Sequence, residues 1–144
     1  MSIVMGMSNH EKLTIPFYRV GLERLTFEEI LERFVDPSQK SGNFHRISDM
    51  HVKIGMPVSF RTDDELVPLD KGTPVSEEAI LHMLDILLSE KQISQVTDPD
   101  QPQDVDTAFE WEEQGINFRL NVFRDRDGLA FVMRVLSSTI PSIE

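Results

Sequence analysis

Apolar residues along the chain change their period several times, and each change predicts an element. In "LTFEEILERFV", Phe27, Ile30, Leu31, Phe34 and Val35 recur at helical spacing. Thr26 stands where an N-cap is needed, Glu29 completes a capping box, and Leu25 can staple onto Ile30. Asp36-Pro37 stops this helix, and "DPSQKSGN" reads as a polar connector. The period then drops to alternation: Met50, Val52 and Ile54 against Asp49, His51 and Lys53, then Val58 and Phe60 against Ser59 and Arg61, with Gly55-Met56-Pro57 as the turn between. Asp63-Asp64 leads to "ELVPL", a strand that Pro68 confines to a sheet edge. A second helix is predicted in "TPVSEEAILHMLDILLSEKQ", with Thr73 or Ser76 as cap and Ile80, Met83, Leu84, Leu87 and Leu88 as its stripe. After the loop "TDPDQPQD" come "VDTAFEW" and a hairpin, "INFRLNVFRDRDGLAFVMRV". Residues 1 to 24 show no sustained period and are expected to form an arm with at most a short edge strand around "IPFYRV".

The order helix, three strands, helix, three strands, joined by short connections, implies an α+β layer: a mostly antiparallel sheet of about six strands covered by helices. With 144 residues, 40% of them apolar, the chain can build one core without staples. The absence of cysteine removes disulfides, thiolate metal sites and thiol nucleophiles, and is compatible with a reducing, cytoplasmic setting. A formal charge of −11 argues against general nucleic-acid or anionic-membrane binding. No apolar run reaches the ~20 residues that span a bilayer, so direct membrane insertion is not expected.

Charge matters most where it is segregated. No basic residue lies between Gln92 and Phe118, while seven acids lie between Asp98 and Glu113. The hairpin that follows carries Arg119 and Arg134, each on the polar side of its strand. For the two apolar faces to lie together, even-numbered residues of the first strand must pair with odd-numbered residues of the second, which sets Arg119 opposite or diagonal to Arg134. Opposed like charges are unfavourable on a sheet, so something should offset them. Two readings are open: each arginine pairs with an acid of the 98–113 segment, or the two guanidiniums clamp a phosphate.

The blocks "SDMHVKIGMPVSFRTDDELVPL", "DTAFEW" and "FRLNVFRDRDGLAFVMRVLSSTIPS" resemble, in order and spacing, the N-terminal domain of PilT-like type IV pilus retraction ATPases within the secretion-ATPase superfamily. The matching positions are Ser48, Asp49, Met50, His51, Val52, Gly55, Pro57, Arg61 and Asp63, then Arg119, Asn121, Phe123, Gly128, Arg134 and Ile140-Pro141. The resemblance implies a PAS-like N-terminal domain over residues 25–144 and a cytoplasmic twitching-motility motor that works as a hexamer beside pilus machinery at the inner membrane. It further implies that Arg119 and Arg134 reach a nucleotide held by a RecA-like ATPase domain. Two departures accompany it: Asp64 replaces the family's turn glycine, and a basic turn residue near Asp127 is displaced to Arg126 or Arg124. The sequence contains no G-x-x-x-x-G-K-[ST], so this chain is expected to be non-catalytic, with ATP and magnesium bound only by the ATPase domain. The alternatives are a free-standing PAS-like module that binds a ligand or partner, and the same domain in a type II or type IV secretion ATPase.

Other constellations carry less. Asp49 and His51 share a strand face, roughly 6–7 Å apart, and a mutual hydrogen bond fixing the strand start is expected in preference to a metal site, which needs about three protein ligands. No G-x-S-x-G elbow supports a nucleophilic triad. Phe109 and Trp111 lie on one face of a strand and read as core or interface.

Overall fold

The computed structural model describes residues 8–35, 47–62 and 65–138. The "DPSQKSGN" connector, Asp63-Asp64 and Ile140-Pro141 lie outside the described residues. The elements run α1 (Asn9–Leu13), β1 (Tyr18–Val20), β2 (Glu23–Leu25), α2 (Phe27–Val35), β3 (Ile47–Lys53), β4 (Ser59–Thr62), β5 (Glu65–Pro68), α3 (Glu77–Leu87), α4 (Glu90–Thr97), β6 (Val105–Trp111), β7 (Ile116–Asp125) and β8 (Gly128–Ser138). Six strands form one antiparallel sheet in the order β5-β4-β3-β8-β7-β6, and β1-β2 form a separate hairpin. The fold is α+β, as the element order implies.

α2 forms for the reasons its sequence states. The Thr26 amide donates to the Glu29 carboxylate at 2.8 Å and the Glu29 amide donates to the Thr26 hydroxyl at 3.1 Å, so the capping box closes and two orphan donors are satisfied. Its apolar stripe, Phe27, Ile30, Leu31 and Phe34, is buried. Phe34 stacks on Phe60 of β4 and Phe118 of β7, with ring centroids 6.1 and 5.8 Å apart, which ties the helix across the sheet. β5 takes the edge position that Pro68 requires.

Three local features differ from the pattern reading. The N-terminal arm is built from Ser8 onward: Ser8 and Glu11 close a capping box on α1, and Leu13 and Tyr18 join the same buried cluster as the sheet. β1 pairs with β2, not with an edge of the main sheet. The long helix ends at Leu87, because Ser89 starts α4 with its own capping box to Gln92. The unbroken apolar stripe through Leu87-Leu88 hides that break, while the cap signal in "SEKQ" marks it.

The sheet's two faces divide the molecule's work. Met50, Val52, Phe60, Phe118, Leu120, Val122, Leu129, Phe131 and Met133 point one way into the core, where α2 packs on β3, α3 on β8, and α4 on β6 and β7. The opposite face carries the polar residues of the same strands.

Candidate functional site

A single row of cross-strand neighbours crosses that polar face: Leu66 of β5, Arg61 of β4, Asp49 of β3, Arg134 of β8, Arg119 of β7 and Ala108 of β6. Arg119 and Arg134 stand directly opposite each other, the closer of the two arrangements that strand parity permits. The tight turn decides it: Asp125 pairs with Gly128 across Arg126-Asp127, and the ladder counts back from there without slippage to Phe118.

Each arginine has a carboxylate. Arg119 donates from Nε and Nη2 to the two oxygens of Asp106 at 3.1 and 2.9 Å, a side-on pair. The Arg119 side chain stays 61% exposed and that of Asp106 53%. The contact holds the Asp106 carboxyl below and the Arg119 guanidinium above their ordinary ranges, chiefly through the hydrogen bond itself. Arg134 donates from Nε to Asp49 at 3.0 Å, and Asp49 is only 10% exposed. Arg61 approaches the other Asp49 oxygen at 3.9 Å, and the Ser48 hydroxyl donates to it at 3.4 Å. Of the two arginines the acidic segment therefore serves only Arg119, and Arg134 draws its partner from β3.

This geometry corrects the expected Asp49–His51 hydrogen bond. The spacing would allow one, but Arg134, opposite on the neighbouring strand, takes one oxygen of the carboxylate, and Ser48 and Arg61 face the other. His51 sits in the next row between Ser59 and Val132, its Nε2 buried and without a partner among the described residues. Burial first, and Arg61 second, hold its pKa below the usual histidine value, against a weaker pull from Asp49. Asn121 occupies the same next row, paired with Val132 and Asp106.

The remaining motif residues shape backbone. Gly55 turns with φ 92° and donates to the Val75 carbonyl at 2.8 Å, Pro57 accepts from the buried Ser59 hydroxyl at 2.9 Å, and Gly128 closes the hairpin with φ 121°. Arg124 and Arg126 lie at this far end of the hairpin, Arg124 roughly 17 Å along the strand from Arg119 and opposite Leu129; they are not brought to the pair. Among the described residues no group of three or more His, Asp or Glu side chains could hold a metal ion. Trp111 and Phe109 face the core side; Trp111 is buried with its indole N–H unpartnered among the described residues, beside a groove of about 470 Å³ rimmed by Glu23, Glu29, Glu32 and Arg33.

No protein-family profile and no curated protein matches the sequence. Among solved structures the chain is similar to the pilus retraction motor PilT, solved with bound ADP, at 26% identity and TM-score 0.60 over 79% of this chain. It supports an N-terminal domain of this ATPase family. The Legionella pneumophila ATPase DotB shares the fold at 15% identity and TM-score 0.61 over 81% of the chain. The chain spans 30% of the length of each of these two secretion ATPases. No helix among the described residues is long and apolar enough to cross a membrane.

Proposed function

We propose that this domain is the non-catalytic N-terminal module of a hexameric motor of the secretion-ATPase family, with pilus retraction as the preferred setting because PilT is the nearer in sequence of the two relatives described. Arg119 and Arg134 face the phosphates of ATP, with its magnesium, in a RecA-like domain in cis, at an interface that also meets a neighbouring subunit in the cytoplasm. The observation that carries this reading is the direct opposition of Arg119 and Arg134, whose side chains remain 61% and 65% exposed although both are anchored. Two planar forks on one open face match the bidentate geometry of phosphate oxygens, and a transferring phosphoryl group is stabilised by such donors.

The test uses the polypeptide that joins this domain to its ATPase domain, or the two mixed if they are separate chains. Replacing Arg119 or Arg134 by Ala should lower turnover by about 10²-fold, with Lys rescuing poorly because the fork is lost. The thermal midpoint of this domain should barely move in Arg119→Ala, whose pair is exposed, and should fall in Arg134→Ala, which removes a hydrogen bond from the nearly buried Asp49 carboxylate. Turnover is therefore compared at a temperature where both variants are folded. Unchanged turnover in both variants would sink the proposal.

A further inference from the structure

The two carboxylates hold the two arginines in different ways. A guanidinium offers two bidentate edges, one from Nε and an Nη, the other from both Nη groups. Asp106 takes the whole side-on edge of Arg119, through Nε and Nη2, from a position open to water. Asp49 takes only Nε of Arg134, and among the described residues the Nη groups of Arg134 have no partner. Asp49 is itself fixed: it is nearly buried, it accepts from Ser48, and Arg61 stands on its far side as a second cation. An exposed, salt-screened pair exchanges readily, whereas a carboxylate held by three neighbours in a buried position does not.

We infer that the two carboxylates act in opposite senses on an incoming polyphosphate: Asp106 is an internal occupant that competes for Arg119 and must be displaced, while Asp49 is a positioning residue that orients Arg134 with its Nη edge presented. The inference rests on the reading of the arginine pair as a phosphate-binding group. In the absence of phosphate, Asp106 neutralises one cation of the pair and so limits the repulsion between opposed arginines. On arrival of the anion the same carboxylate becomes its competitor.

The sequence supplies an internal control. Asp106 and Glu110 stand two residues either side of Ala108, the residue opposite Arg119, and both are exposed on the same face of β6. Arg119 bonds Asp106. Removing either charge changes the long-range field alike, but only one removal frees the guanidinium.

The experiment titrates inorganic triphosphate into this chain and follows the arginine Nε–H resonances by NMR. Asp106→Asn should tighten binding by about twofold to fivefold, Glu110→Gln by distinctly less, and Asp49→Asn should weaken it. In the unsubstituted chain the Arg119 Nε–H should shift as Asp106 is displaced, while the Arg134 Nε–H stays bonded and slow to exchange. This last readout needs no variant, so it stands even if Asp49→Asn fails to fold. Affinity that is unchanged or weaker in Asp106→Asn, an equal gain in Glu110→Gln, or equal displacement of both Nε–H signals overturns the inference. If Arg119→Ala and Arg134→Ala leave triphosphate binding unaltered, the phosphate reading of the pair fails as well. If they abolish it while Asp106→Asn gains nothing, the competition alone is refuted. Absence of binding by every form at tens of millimolar triphosphate refutes both.

Discussion

Tyr18 shows how one hydroxyl joins the N-terminal hairpin to the main body. It is buried, donates to the Thr73 carbonyl at 2.6 Å and accepts from the Val58 amide at 3.0 Å. Tyr18→Phe keeps the ring and its packing but leaves the Val58 N–H buried without an acceptor, which costs about 1–3 kcal/mol. The thermal midpoint should fall by several degrees, and a midpoint equal to that of the parent would refute the bridge. Burial raises the Tyr18 pKa, with the Val58 bond pulling weakly the other way. The folded state therefore keeps this proton to higher pH than the unfolded state, whose value is about 10. The associated stability is fully present below about pH 10 and is lost as pH rises through the folded value. Urea denaturation at rising pH should show that loss in the parent and not in Tyr18→Phe. A pattern search of the sequence leaves Tyr18 unnoticed, because one aromatic in an aperiodic stretch carries no period.

At the scale of elements, the β7–β8 hairpin sets the arginine register, so its turn matters out of proportion to its length. Asp127 donates its amide to the Asp125 carboxylate at 2.8 Å, and Lys53 reaches Asp125 and Asp127 at 3.0 and 3.1 Å. Gly128 completes the turn with φ 121°, and a Cβ there would meet Ile54 Cδ1 at 3.1 Å. Gly128→Ala should cost about 1–3 kcal/mol from backbone strain alone, and hydrogen exchange should show β7 and β8 amides opening more readily near the turn. Unaltered exchange and stability would mean the turn tolerates the side chain. The hairpin was legible because alternation, a glycine and a short polar turn all specify the same register. The break between α3 and α4 was hidden because Leu87 and Leu88 continue the apolar stripe, and burial at both positions satisfies either a continuous helix or a turn.

As a whole molecule, the described residues share one core. Leu13 and Tyr18 of the N-terminal segment sit in the same buried cluster as Ile80 of α3 and Phe131 of β8. The segment read from sequence as an arm is therefore part of the cooperative unit. Fluorescence of Trp111, the single tryptophan, and far-ultraviolet circular dichroism should report coincident unfolding transitions. Deleting residues 1–24 strips Leu13 and Tyr18 from that core and should abolish the sharp transition. A truncated chain that unfolds with the parent's midpoint and steepness would show the arm to be dispensable.

Strand parity, cap residues and turn chemistry determined locally that α2 begins at its capping box, that β5 is an edge, and that Arg119 meets Arg134 across a hairpin. These are consequences of spacings within about 20 residues of chain, where backbone geometry fixes which side chains share a face. The assignment of carboxylates was decided elsewhere. Asp49 lies 85 residues from Arg134 in sequence and meets it only because β3 docks beside β8 in the sheet. Nothing in the alternation of either strand names its neighbour: the order β5-β4-β3-β8-β7-β6 is chosen by burying one apolar face under α2, α3 and α4. That choice brings a nearly buried carboxylate to one arginine, while hairpin pairing with β6 leaves the other with an exposed one. The pair itself is thus a property of local sequence, and the unequal grip on its two members is a property of the tertiary fold.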